Sequence, residues 1–207
     1  MTAAARPPRD ITPTEFFNQW LPGQFRAEFG EGKRTASDIT IAVHLIGDGG
    51  GDFVLDVRGG QLAVRAPGAI GPEPLVELRQ PVADWRALAA GEDGAVDLAP
   101  PQASPLDVLF VDPASRELMG VVKGTMRFEV PAYNGRTWWM VVKFGQQPFA
   151  EPADATIGID AETYALLLRR ELGAPEAYFA GKIRLQGNTS LAMQLGMTML
   201  PRFRGLE

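Results

Sequence analysis

Few side chains in this sequence could do chemistry, and most of those point away from it. Cysteine is absent and His44 is the only histidine, which excludes disulfides, thiolate metal sites, iron–sulfur clusters and thiol nucleophiles, together with any metal site needing two imidazoles. His44 falls on the opposite face from the alternating row Ile39, Ile41, Val43 and Leu45, where a surface or hydrogen-bonded role is expected. The run Gly47-Asp48-Gly49-Gly50-Gly51-Asp52 lies between two alternating segments and not ahead of a helix, so it reads as a hairpin turn and not a phosphate cradle. Asp48, Asp52 and Asp56 could gather around a hard cation, but their strand setting makes them solvated carboxylates. Asp84 and Glu162 remain as acid–base candidates, a role that would require perturbed carboxylates inside a cleft. Arg169-Arg170 and Arg202-Phe203-Arg204 are basic clusters beside apolar helical runs. They can complement helix C-termini, or meet anionic headgroups or a phosphorylated carrier at the mouth of an apolar pocket. No Walker loop, HExxH, EF-hand or GxSxG pattern is present, and no catalysis, metal or cofactor is expected.

The elements that would position these groups follow from periodicity. Thr12, Pro13 and Glu15 make a capping box with proline at the first helical position. Phe16, Phe17, Trp20 and Leu21 follow at helical spacing, and Pro22-Gly23 is expected to interrupt before Phe25 and Phe29. Ile39 to Leu45, Phe53 to Val57 and Leu62 to Val64 alternate between glycine turns, which predicts a three-stranded antiparallel meander. Leu75 to Leu78 adds a strand, and Pro81 opens a helix through Trp85 that Gly91 ends. Residues 91–105 read as a connecting loop. Leu106 to Val111, Leu118 to Val122, Thr125 to Val130 and Thr137 to Phe144 read as strands, with a tight hairpin at Asn134-Gly135. Asp160 caps a helix carrying Tyr164, Ala165, Leu167 and Leu168. A short strand, Lys182 to Gln186, leads through Gly187-Asn188 into a last helix, Thr189 to Leu200, that is apolar nearly all round and contains Met193, Met197 and Met199. Such a helix must be covered by protein, a partner or a ligand; both a filled core and a cavity remain open.

Composition bounds the rest. The chain has 207 residues, 45% of them apolar and 22% charged, enough for one compact body with a sizeable core. Twenty-five acidic against twenty basic side chains give a net charge of −5, which argues against nucleic acid as a partner. Met1 to Asp10 has no signal-peptide pattern and no run reaches membrane-spanning length, so a cytoplasmic location is expected.

The stretch Ala177-Tyr178-Phe179-Ala180-Gly181-Lys182-Ile183 through Gly187-Asn188-Thr189-Ser190-Leu191-Ala192-Met193-Gln194-Leu195 resembles the closing signature of the sterol carrier protein type 2 family: a short helix, a "GK-I-x-x-x-GN" strand and turn, and an "LA-x-x-L" helix. Asp154 to Gly173 resembles the strand and helix before that signature, and Phe16 to Val64 resembles the family's opening helix and meander. Residues 92–153 then look like extra strands or an insertion, and 1–11 like a flexible N-terminus. Leu75 to Gly91 repeats the strand-then-aromatic-helix character of Ala155 to Gly173, with Trp85 answering Tyr164, as a degenerate duplication would.

The resemblance implies an α+β fold, mainly antiparallel, with five or more strands and helices on one face, in a single domain over 1–207. It implies carriage of a small hydrophobic ligand such as a sterol, fatty acid or acyl-CoA in an apolar tunnel, transient contact with a membrane surface, and no enzyme activity. The residues expected to line the tunnel are Phe17, Trp20, Leu21, Leu167, Leu168, Phe179, Leu191, Leu195 and Met199. The competing reading keeps the fold, fills the cavity with Trp138, Met140 and the methionines, and makes the protein a scaffold for an unspecified partner.

Overall fold

The computed structural model describes residues 6–29, 38–91, 113–169 and 171–199. The first helical stretch runs through α1 (Pro13–Glu15), a wider π turn (Phe16–Trp20) and α2 (Leu21–Phe29). The capping box is formed: the Thr12 hydroxyl accepts from the Glu15 amide, and the Glu15 carboxylate accepts from the Thr12 amide. Pro22-Gly23 does not break the stretch. Pro22 has no N–H for the carbonyl four residues back, and the π turn, closed by Leu21 N–H donating to the Phe16 carbonyl, absorbs that gap while the helix continues. The N-terminal approach is packed at its end, since Pro7 and Ile11 are buried.

One eight-stranded sheet receives this helix, in the order β3-β2-β1-β4-β6-β5-β7-β8. The strands are β1 (Ile39–Ile46), β2 (Gly51–Arg58), β3 (Gln61–Arg65), β4 (Val76–Pro81), β5 (Gly124–Tyr133), β6 (Arg136–Phe144), β7 (Ala155–Ile159) and β8 (Ile183–Gly187). The meander β1–β2–β3 and the hairpin β5–β6 are antiparallel. Asn134 and Gly135 sit at φ 48° and 76°, the positive values that a two-residue hairpin turn demands. Two pairs, β1–β4 and β5–β7, are parallel, a departure from the antiparallel expectation that arises because each returning strand pairs with the first strand of its hairpin and not with the last. The fold is α+β, with α3 (Val82–Ala89), α4 (Pro113–Val121), α5 (Ala161–Leu168), α6 (Ala174–Phe179) and α7 (Thr189–Met199) completing it.

Leu118 to Val122 is a correction: it belongs to α4 and its end, not to a strand. Pro113 starts the helix, and Arg116, Glu117 and Met119 are strong helix formers, so local propensity outweighs the apolar pair that suggested a strand. The expected strand Leu106 to Val111 and the loop over 92–105 lie outside the described residues.

Ile39, Ile41, Val43 and Leu45 face the helices and share a core with Phe16, Phe17, Leu21 and Phe25 at one end and Met126, Val142, Ala155 and Leu191 at the other. The two ends meet at the seam between β4 and β6, where four residue pairs run from Val76↔Phe144 to Arg79↔Val141. On its helix side the seam is apolar, Leu78 against Val142. On the other side Lys143, 6% exposed, forms an ion pair with Glu77. Beyond the last pair Asp84, 1% exposed, takes over: its carboxylate accepts from the Trp139 amide at 3.0 Å and pairs with Arg136, while its carbonyl accepts from the Trp138 indole at 2.8 Å. Asp84 is thus spent on structure, closing the sheet where β4 departs into α3.

Removing one partner of such a site leaves the other desolvated and unpaired. Asp84→Ala is expected to lower stability by about 2–4 kcal/mol, read as a fall in denaturation midpoint; a loss below about 1 kcal/mol would show that the seam does not depend on this carboxylate.

Candidate functional site

The last helix is positioned by its preceding turn. The Asn188 amide donates to the Asp154 carbonyl at 2.7 Å, and the Asn188 side-chain oxygen accepts from the Leu191 amide at 3.1 Å. Asp154 in turn accepts the Thr125 amide on its carboxylate at 2.7 Å. One aspartate therefore links the entry of β7, the start of β5 and the N-terminus of α7. Gly187 sits at φ 76°, and a methyl group there would run into the Asp154 carbonyl oxygen. Gly124, at φ 146°, makes room for Leu191, whose Cδ2 lies 2.7 Å from where a Cβ would stand. The "GN" of the signature is thus a close approach between two strands followed by a helix cap.

Around this turn lies a cleft of about 370 Å³ lined by Lys123, Gly124, Gln147, Asp154, Asn188 and Leu191. A second, of about 580 Å³, lies across the sheet at the start of β1 and the entry to β4, between Asp38, Thr40, Arg58, Leu75, Arg116 and Gln146. Both mix polar and apolar walls. Glycine spacing could have pointed to Gly124 and Gly187, but the role of Asp154 and the first cleft had no signal in the sequence, because their partners are distant along the chain.

The expected tunnel residues divide between two places. Phe17 is buried and stacks on Phe53 at 4.3 Å, Trp20 stacks on Phe16 at 5.2 Å, and Leu21 is buried beside them. Leu191 is buried at the other end of the core, on α7, and Leu167 is half-buried on α5. Phe179 is 86% exposed: in six-residue α6 it is Ala177 that faces inward, which turns the Phe179 ring to solvent. The side chains of Leu168, Leu195 and Met199 lie outside the described residues.

Several of the other groups singled out in the sequence are engaged, while Asp48 and Glu162 are exposed. His44 bridges Asp52, at 2.8 Å from Nδ1, and Glu77, at 3.2 Å from Nε2. Asp56 accepts from Thr40 and Arg58. Arg169 donates to Glu171 at 2.8 Å, so its cation is paired within the chain; Arg170 and residues 202–204 lie outside the described residues. Among the described residues no group of three His, Asp or Glu side chains is disposed to hold a metal ion, and no helix is long and apolar enough to cross a membrane. Burial acts to raise the Asp160 carboxyl, but hydrogen bonds from the Thr163 amide and hydroxyl and the charge of Lys182 outweigh it, holding the group below the usual aspartate range.

Residues 106–199 match the SCP-2 sterol transfer family. The matched segment contains the turn, the α7 anchor and the smaller cleft. Three solved structures are similar to parts of this chain. The sterol carrier protein domain 2 of Helicoverpa armigera is 28% identical over 44% of this chain and 76% of its own, with a TM-score of 0.33. Sterol carrier protein 2 like 2 from Aedes aegypti is 19% identical over 41% and 88%, with a TM-score of 0.29. Sterol carrier protein 2 from Yarrowia lipolytica, in its apo form, is 17% identical over 44% and 80%, with a TM-score of 0.31. No curated protein matches the chain.

Two substitutions probe the site's framework. Asn188→Ala removes the α7 cap and should cost about 1 kcal/mol, with loss of far-UV helical signal on mild heating; unchanged melting would mean that α7 does not need the cap. Asp160→Ala should destabilise α5 at neutral pH and progressively less as pH falls. A carboxylate held low in the folded state stabilises above the unfolded aspartate range and loses that contribution as pH drops toward its lowered folded value. A pH-independent difference in melting between wild type and variant would contradict this.

Proposed function

We propose that this protein binds and carries a small hydrophobic ligand, of the sterol, fatty acid or acyl-CoA type, between the sheet and its helices. The match of residues 106–199 to the SCP-2 sterol transfer family carries this reading. The tethering of α7 supports it physically: a cover helix fixed at its N-terminus by Asn188 and Asp154 can shift at its far end without losing its place. Carriage of this kind requires no catalytic group, and Asp84 and His44 are engaged in structural contacts. Tyr178 and Phe179, whose rings lie 5.7 Å apart on the surface, suit passing contact with a membrane interface, and a cytoplasmic location is in keeping with such a carrier.

An apolar ligand held by area and not by polar readout follows a simple rule. Each buried methylene adds about 0.8 kcal/mol, or about fourfold in affinity, until the chamber is full. Titration with saturated fatty acids of increasing length should therefore show affinity rising stepwise and then levelling off. Native mass spectrometry of freshly purified protein, followed by solvent extraction, should release a stoichiometric lipid. A bare protein that binds no member of the series would overturn the carrier reading and leave the scaffold.

A further inference from the structure

The sheet contains the same arrangement twice. β1 pairs antiparallel with the strand that follows it, β2, and parallel with β4, which runs straight into α3. β5 pairs antiparallel with β6 and parallel with β7, which runs into α5 with only Asp160 between them. Across the sheet the trio β2-β1-β4 is followed by β6-β5-β7 in the same sense.

The registers agree residue by residue. The row Leu55–Ile41–Val76 has its counterpart in Val142–Met126–Ala155, and Phe53–Val43–Leu78 in Met140–Phe128–Ile157. One residue before Ile41 and Met126 stands a buried threonine, Thr40 and Thr125. Each is tied by its backbone to the entry of the parallel strand: the Leu75 amide donates to the Thr40 carbonyl at 2.8 Å, and the Thr125 amide to Asp154 at 2.7 Å. Trp85 and Tyr164 are both the fourth residue of the helix that follows. The two clefts fall at the same place in each trio, with α4 beside the first and α7 beside the second.

What differs is the filling. In the first trio Phe16, Phe17 and Trp85 interlock with centroids 5.0 to 6.0 Å apart, and Phe53 stacks on Phe17. In the second trio Met140 stands where the first has Phe53 and Phe128 where the first has Val43, and the side chains that α7 lays over it are the aliphatic Leu191 and Ala192. Stacked rings leave no room for a guest, whereas aliphatic and thioether side chains can re-pack around one.

We propose that the chain is two fused copies of one unit, and that the first has closed its chamber with its own aromatic side chains while the second alone admits a lipid chain, one per protein. The proposal rests on the lipid-carrier reading and places its site. It makes residues 113–153 the start of the second copy and not an insertion into a single one.

The test is location and stoichiometry. The wild-type protein is photolabelled with a diazirine derivative of palmitic acid, and the modified peptides are mapped alongside native mass spectrometry of the palmitate complex. One equivalent, with label confined to residues 113–199, is the expected result. Leu191→Trp should weaken palmitate binding at least tenfold, and Phe53→Leu, in the first copy, should leave it within about twofold. Two equivalents, or label within residues 13–91, would overturn the division of labour while leaving the carrier reading intact. No bound palmitate at all would overturn both. Because the mapping is done on the wild-type chain, its outcome stands whether or not Leu191→Trp folds.

Discussion

Four residue pairs between β4 and β6 hold the two ends of this molecule in one sheet. Everything else in the sheet is joined by strands close in sequence or by a parallel return within one half. The seam is short, yet it is reinforced on both faces and at its end. Leu78 and Val142 bury apolar surface on the helix side, Glu77 and Lys143 pair on the other, and Asp84 receives the Trp139 amide where the ladder runs out. A buried ion pair is weak as a source of net stability, because desolvation offsets most of the attraction. Its usefulness here is register: sliding β6 by one residue would put Lys143 into the apolar core and Val142 onto the charged face.

The charged face extends from that pair. Asp52, His44, Glu77 and Lys143 form a chain across four strands, and the Phe149 ring lies over it, 4.0 Å from the Arg79 guanidinium and 6.0 Å from the imidazole. This polar side needs no helices, which leaves the helices to the apolar side. The only histidine, conspicuous in the sequence as a candidate for chemistry, is one member of a cross-strand network.

Local rules were enough for much of the fold. The Thr12 and Asp160 caps, the Asn134-Gly135 turn, the glycine turns of the meander and the "GN" cap of α7 each depend on residues within a few positions of one another, so their chemistry is visible in order along the chain. Pro22 and the segment 118–122 misled because short local signals were ambiguous. A proline can be absorbed by a wider helical turn, and a brief apolar run suits either a helix or a strand until its packing is known.

The sequence by itself determined the class of the protein: no thiol or multi-imidazole chemistry, alternating strands with one apolar face, capped helices, and a closing signature resembling a lipid-carrier family. Only the tertiary structure decided which strands are parallel, that Asp84 and Asp154 are tethers, that Phe179 faces solvent, and that the aromatic first helix and the aliphatic last helix cover different ends of the sheet. The reason is that periodicity reports which face of an element is apolar, whereas these outcomes depend on which distant element that face meets. Pairings such as Val76 with Phe144, or Asp154 with Thr125, exist only once the chain has closed on itself.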